Sequence, residues 1–253
     1  MNRLQKAGYW MLDYVYSFGD EVCAALDGRS AEQYFEAVDV PDDERCVVRD
    51  DRPVVLVPGL AETWTVLRRA GAEARRHGHP VHVVSALGRT TGTVEAEARV
   101  VAQYLETNDL RDVILLSHSK GGLIGKYVMV RFDTDARIDG MIAINAPFSG
   151  SQWGRVVPLP SVRLFAPNDR IVRFLAATAD VDARVVSVYS TFDQNVWAGS
   201  RLEGARNVRL NVAGHSRILG SKRLVRVLPE AISWLPRRSS FRTSSAPPGP
   251  SPR

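Results

Sequence analysis

Residues 112–131, DVILLSHSKGGLIGKYVMVR, restrict the fold more than any other stretch of the chain. The β-formers Val113, Ile114, Leu115 and Leu116 stop abruptly at Ser117-His118-Ser119-Lys120-Gly121. Helix-compatible Leu123, Ile124, Tyr127 and Val128 follow at once. This order predicts strand, sharp turn, helix. In so tight a turn the central residue has strained backbone angles, so the positions two before and two after it must be small. Gly121 meets that demand fully, and Ser117 is the next smallest polar choice. Such a turn would hold the Ser119 hydroxyl proud of a parallel sheet, in the manner of a nucleophile elbow. The plain alternative is an ordinary strand-to-helix turn, glycine-rich because its backbone is tight.

The rest of the chain predicts the sheet that such a turn needs. Val54–Val57, in PVVLVPGLAETW, is a continuous apolar run, as expected of a strand covered on both faces. Pro58-Gly59-Leu60 stops it, and a helix is expected from Thr63 to Arg75. A second strand at Val81–Val84 precedes a helix from Val94 to Leu105. Beyond the elbow come strands at Met141–Ile144, Val185–Tyr189 and Val208–Val212. Strands alternating with helices imply crossover units and a mostly parallel sheet, with ligand chemistry beyond the carboxyl ends of the strands. Residues 146–182 are irregular and rich in Pro and Gly, the pattern of a lid or binding loop. Trp153, Leu164, Phe165 and Phe174 are its candidate pocket walls, with surface packing as the alternative. A closing helical region, Ser216 to Leu235, is expected to break near Pro229.

The two ends read differently. Residues 6–27 suit an amphipathic helix weakened by Gly19 and docked on the domain; Asp13, Asp20 and Glu21 argue against an anionic bilayer as its partner. The expected division is an N-terminal helical segment (1–50), an α/β domain (51–236) and a Ser/Pro/Arg tail (237–253) too poor in apolar residues to order itself. The net charge is +5, but the tail arginines at 237, 238, 242 and 253 carry +4 of it, leaving +1. With no basic cluster interleaved with aromatics, nucleic acid is not an expected partner. Cys23 and Cys46 make neither a disulfide framework nor a zinc spacing, and two free buried thiols are expected. Acids interrupt the only leader-like stretch, and no apolar run reaches the ~20 residues of a membrane span. The protein reads as soluble and cytoplasmic.

A serine becomes a nucleophile when a base takes its proton. Of five histidines, His77, His79 and His82 precede or enter a strand, at the wrong end of the sheet. His118 adjoins Ser119 and is expected to pack beside it. His215, in NVAGHSRILG, directly follows the last strand and is the candidate base. The carboxylate that fixes its tautomer is expected at Asp193, just past the preceding strand, because Asp180 and Asp182 lie before that strand and Asp169 lies in the expected lid. A turn-forming aspartate is the alternative. Two N–H donors for an oxyanion are expected from Leu60, in the turn after the first strand, and Lys120.

With these motifs in view, the chain resembles the α/β-hydrolases, and more narrowly the bacterial triacylglycerol lipases and esterases. The resemblance spans roughly Arg52 to Leu235 and rests on VVLVPGLAETW, ILLSHSKGGLIGKY, INAPFSGSQWG, VYSTFDQNVW and NVAGHSRIL, in that order. It implies a mostly parallel central sheet flanked by helices, with a lid or cap insertion around 146–182. It also implies a Ser119, Asp193, His215 triad cleaving carboxylic esters through an acyl-enzyme, without metal or organic cofactor. The substrate would be a small-molecule ester or a lipid, with no stable membrane insertion. The departures are Ser117 for glycine, Pro58 for the histidine common in the oxyanion turn, and Phe148 where many lipases carry another histidine. Alternatives within the fold are hydrolysis of a phospholipid, thioester or amide; the non-enzyme alternative is a binding protein that has lost turnover.

Overall fold

The structure, a computed structural model, describes residues 3–40, 50–156 and 163–237. Two helices lead, α1 (Arg3–Asp27) and α2 (Ala31–Glu36), and the chain then enters β1 (Val54–Val57). There follow α3 (Arg68–Arg76), β2 (Val81–Val83), α4 (Val94–Thr107), β3 (Val113–His118), α5 (Lys120–Arg131) and β4 (Ile138–Ile144). The remainder is α6 (Trp153–Val156), α7 (Arg170–Ala177), β5 (Val185–Phe192), β6 (Arg206–Ala213) and α8 (Lys222–Ser233).

Alternation along the strands explains the layers. Successive strand side chains point to opposite faces, so a strand covered on both sides must be apolar throughout. Val55, Val57, Val113, Leu115, Met141 and Ala143 face one core with α4, α5 and α7. Val54, Leu56, Ile114, Leu116, Ile142 and Ile144 face the other, with α2, α3 and α8. The six strands are all parallel, in the order β2-β1-β3-β4-β5-β6. The chain therefore moves outward from β1 to β2, then crosses back and proceeds the other way from β3. Strand order reverses beside β1, which opens a crevice at the carboxyl ends of β1 and β3. Their register, Val57 opposite Ser117, brings the turn after β1 against the turn after β3.

Several expectations change. β4 begins at Ile138 and β5 runs on to Phe192, so the Asp193 strand carries its residue further past the sheet edge than the apolar run suggested. α8 runs unbroken through Pro229, because Leu224, Leu228, Ala231 and Ile232 bury one face of the whole helix and outweigh the one amide bond that proline cannot donate. Cys23 is free, but exposed rather than buried, since it lies on the solvent side of α1; Cys46 lies outside the described residues. The expected tail lies outside them too, except Arg237, which pairs with Asp50 at 2.9 Å. Within the expected lid, α7 buries Val172 and Leu175 on the core while residues 157–162 are outside the described set. Among the described residues no helix is long and apolar enough to cross a membrane.

α1 runs through Gly19 as one helix of 25 residues. Its acids hold it to the body. Asp20 forms two bonds of 2.7 Å with the Arg68 guanidinium, and Asp13, almost wholly buried, accepts the backbone N–H groups of Ser216 and Arg217 at 3.0 and 2.9 Å.

Candidate active site

The turn after β3 has the strain that its sequence predicts. Ser119 has φ 50° and ψ −121°, a conformation costly for any residue with a Cβ. Its own N–H donates to Ile144 O at 2.9 Å and its carbonyl accepts from Gly122 N–H at 3.0 Å, which fixes the turn between β4 and α5. A Cβ on Gly121 would fall on the carbonyl oxygen of Val57, so the close approach of β1 requires glycine there. Ser117, fully buried, donates its hydroxyl to Ile142 O at 3.2 Å. It thereby satisfies a polar group that glycine would not have carried.

β6 and β5 bring two more groups to this turn. His215 follows β6 after Gly214, whose φ of 121° swings the chain back over the sheet edge. His215 Nε2 lies 2.9 Å from Ser119 Oγ, and Nδ1 lies 2.7 Å from Asp193 Oδ2. An Asp193 carboxylate can only accept, so Nδ1 carries the proton and Nε2 is left to accept from the serine hydroxyl. Asp193 Oδ1 accepts the N–H groups of Asn195 and Val196 at 2.7 and 3.0 Å, which aims its other oxygen at the ring. Burial pushes the Asp193 carboxyl up, but His215 and these donors outweigh it and hold it below the usual aspartate range. Burial likewise opposes charge on His215, yet Asp193, with Glu62 and Asp13 beyond it, raises its pKa above the ordinary histidine value.

Three groups that sequence reasoning missed, Asn145, Glu62 and Asp13, hold His215 from behind, together with His118, which was expected beside Ser119. The His215 carbonyl accepts from Asn145 Nδ2 at 2.9 Å and lies 3.2 Å from His118 Nε2. The His118 ring, wholly buried, packs 4.8 Å from the His215 ring, centroid to centroid. Its Nδ1 lies 2.8 Å from Glu62 Oε2, which also accepts Gly59 N–H at 2.7 Å. Burial pushes the Glu62 carboxyl up, but the neighbouring histidines and the Gly59 donor bring it below the usual glutamate range. The third is Asp13, from α1. Asn145 and Glu62 both follow strand exits, at β4 and β1, so the rule that led to Asp193 would have reached them too.

Leu60 and Lys120 flank Ser119 on the two adjoining turns. Among the described residues no protein acceptor is recorded for either backbone N–H. The Lys120 side chain turns away and is buried: its ammonium donates to Thr90 O at 2.8 Å and Gly92 O at 2.6 Å and pairs with Glu97 at 2.6 Å. Burial lowers its pKa and Glu97 offsets part of that. The ion pair thus ties the start of α5 to α4. Opposite Ser119 a cavity of about 540 Å³ is walled by Leu60, Trp10, Tyr14, Trp153 and Phe165. Trp10 of α1 packs 5.8 Å from Trp153. Leu164 and Phe174, expected in the pocket, instead pack against the core; α7 turns its apolar face to α5 and so sets the Phe174 ring 6.0 Å from that of Tyr127. Asp182 lies at the opposite end of the sheet, paired with Lys126 at 2.6 Å.

No protein-family model matches the chain. Solved structures do. Lipase B of Aspergillus fumigatus superposes with a TM-score of 0.59 at 21% identity, over 84% of this chain and 60% of the fungal one. A Bacillus licheniformis lipase in its mature form gives 0.55 at 15% identity, over 72% and 92% of the two chains. A carboxylesterase structure from the thaumarchaeon Nitrososphaera gargenis gives 0.55 at 12% identity, over 74% and 91%. At these identities the likeness is one of fold.

Proposed function

The chain has the α/β-hydrolase fold, and we propose that it is a serine hydrolase cleaving carboxylic esters, of the lipase or carboxylesterase kind. One observation carries the reading: an unbroken series of 2.9 and 2.7 Å from Ser119 Oγ through the His215 ring to Asp193, starting at a strained serine on a strand-to-helix turn. Lipases and a carboxylesterase among the proteins of like fold support hydrolysis as the reaction class.

The steps follow from the geometry. As Ser119 Oγ attacks the ester carbonyl, its proton passes to His215 Nε2, and Asp193 stabilises the imidazolium so formed. The carbonyl oxygen, now an oxyanion, takes the N–H groups of Leu60 and Lys120; each such donor is worth about 10²–10³ in rate. When the carbon–oxygen bond to the alcohol breaks, His215 returns the proton to the departing oxygen and the acyl group remains on Ser119. Water, deprotonated by His215, then repeats the attack and frees the acid. The aromatic walls of the cavity, Trp10, Trp153 and Phe165, suit an apolar acyl or alcohol part.

The test is hydrolysis of p-nitrophenyl esters of increasing acyl length, followed against pH. The base must be neutral to act, and His215 is raised above the ordinary ~6.5 of histidine, so kcat/KM should fall as pH drops through a midpoint above that value. Asp193→Asn removes the largest raising influence and leaves burial, which lowers. Its acid limb should move to lower pH while its maximal rate falls. A limb unmoved by Asp193→Asn, or no turnover on any ester, would contradict the reading.

A further inference from the structure

α1 is turned inside out. Between Met11 and Leu26 its charged residues are Asp13, Asp20 and Glu21, and all three are engaged by the body: Asp13 by Ser216 and Arg217, Asp20 by Arg68, and Glu21 by Arg89 at 3.2 Å. The opposite side carries Met11, Val15, Phe18, Val22 and Leu26, spaced three or four apart and so forming one stripe. Met11, Val15, Phe18 and Leu26 are 64–82% exposed, and Tyr14 and Leu12 flank them, also exposed. A solvated helix shows the reverse pattern, with charges outward. An apolar stripe of this length needs a covering.

We propose that this stripe docks the protein on a phospholipid surface, α1 lying flat in the interface. Size argues against a second copy. A helix of 25 residues offers a strip of about 37 Å by 10 Å, roughly 370 Å², under half of the about 800 Å² per partner of a stable interface. Chemistry argues the same way: the stripe has no charged group to set register with a protein partner. Of the acids that the sequence sets against a bilayer, Asp13 and Asp20 are withdrawn into backbone and ion-pair contacts, and half-exposed Glu21 is neutralised by Arg89 on the flank, so the stripe itself carries no carboxylate. Position argues for it as well. Trp10, Tyr14 and Ser17, on the flank of the same helix, wall the cavity holding Ser119 and His215. A docked α1 therefore sets the cavity mouth against the interface, where an apolar ester would be concentrated. Only this last link rests on the hydrolase reading; the docking itself does not.

Sedimentation of the full chain with phosphatidylcholine vesicles tests it, run in the Ser119→Ala background as well as wild type so that binding is read apart from turnover. Both should pellet with vesicles, with little dependence on salt because the contact is apolar. Val15→Ser/Phe18→Ser, which touches neither cavity nor triad, should weaken partitioning by about tenfold or more. Its circular dichroism and its rate on a water-soluble short ester should stay unchanged. Wild-type protein left in the supernatant would overturn the proposal, as would equal binding by the double variant. So would light scattering that shows a dimer converted to monomer by the double variant, which makes a second copy the occupant. Binding that appears only after removal of residues 238–253 would make that tail the occupant and overturn it equally.

Discussion

Ser119→Ala should lower ester turnover by about 10⁴-fold or more while leaving circular dichroism and melting unchanged. The size of the effect follows from what the hydroxyl does, and the silence of the fold follows from how little it packs. Among the described residues its single side-chain polar contact is the one to His215 Nε2, and the strained turn is held by backbone bonds to Ile144 and Gly122 that alanine keeps. His215→Ala should cost a similar factor, since a serine without its base is a weak nucleophile. The double variant should be no slower than either single one, because the two groups act as a unit. Rates are read on a short activated ester. Multiplicative losses in the double variant would mean that Ser119 and His215 serve separate purposes.

Gly121→Ala should be damaging in a different way. The added methyl would meet the Val57 carbonyl, which belongs to an interior strand paired on both sides and has no rotamer by which to move aside. Overpacking against a backbone that relaxes only by shifting a strand costs about 3 kcal/mol, or roughly 6–12 °C in melting temperature. Because Gly121 sits between the turns of β1 and β3, any relaxation separates Leu60 from Lys120, so turnover should fall along with stability. Gly8→Ala is the control: a Cβ there meets nothing within 4 Å, and its melting temperature should not fall. Thermal melts of the three proteins, with rates on one ester, check both halves.

Much of the candidate site's placement was legible because each of its groups stands where an apolar run ends. Ser119, Asp193 and His215 each follow a strand that the sequence marks plainly, and in a parallel sheet all such exits lie at one edge. The strands themselves were legible for a related reason: burial on both faces forbids polar residues, so Val54–Val57 and Val113–Leu116 read as continuous runs. What stayed hidden depends on direction. Glu62 and Asn145 are ordinary turn residues until the fold points them at Gly59, His118 and His215. Trp153 and Phe165 reach the cavity while Leu164 and Phe174 turn to the core, a distinction that irregular chain between strands does not encode in its spacing. α1 is the clearest case. Its wheel shows an apolar side and a charged side, and the usual assumption puts the apolar side inward. Here Arg68, Arg89 and the Ser216 and Arg217 amides claim the acids, and the helix turns over.

The most direct measurement is covalent. Diethyl p-nitrophenyl phosphate presents a phosphorus that an activated serine attacks, releasing p-nitrophenolate and leaving a stable diethylphosphoryl ester. With Ser119 activated by His215, the protein should release about one equivalent of p-nitrophenolate per chain, lose ester turnover in parallel, and carry the added mass on the peptide containing Ser119. Full ester turnover after exposure to the reagent, or a stoichiometric adduct on any other residue, would contradict the assignment of Ser119 as the nucleophile.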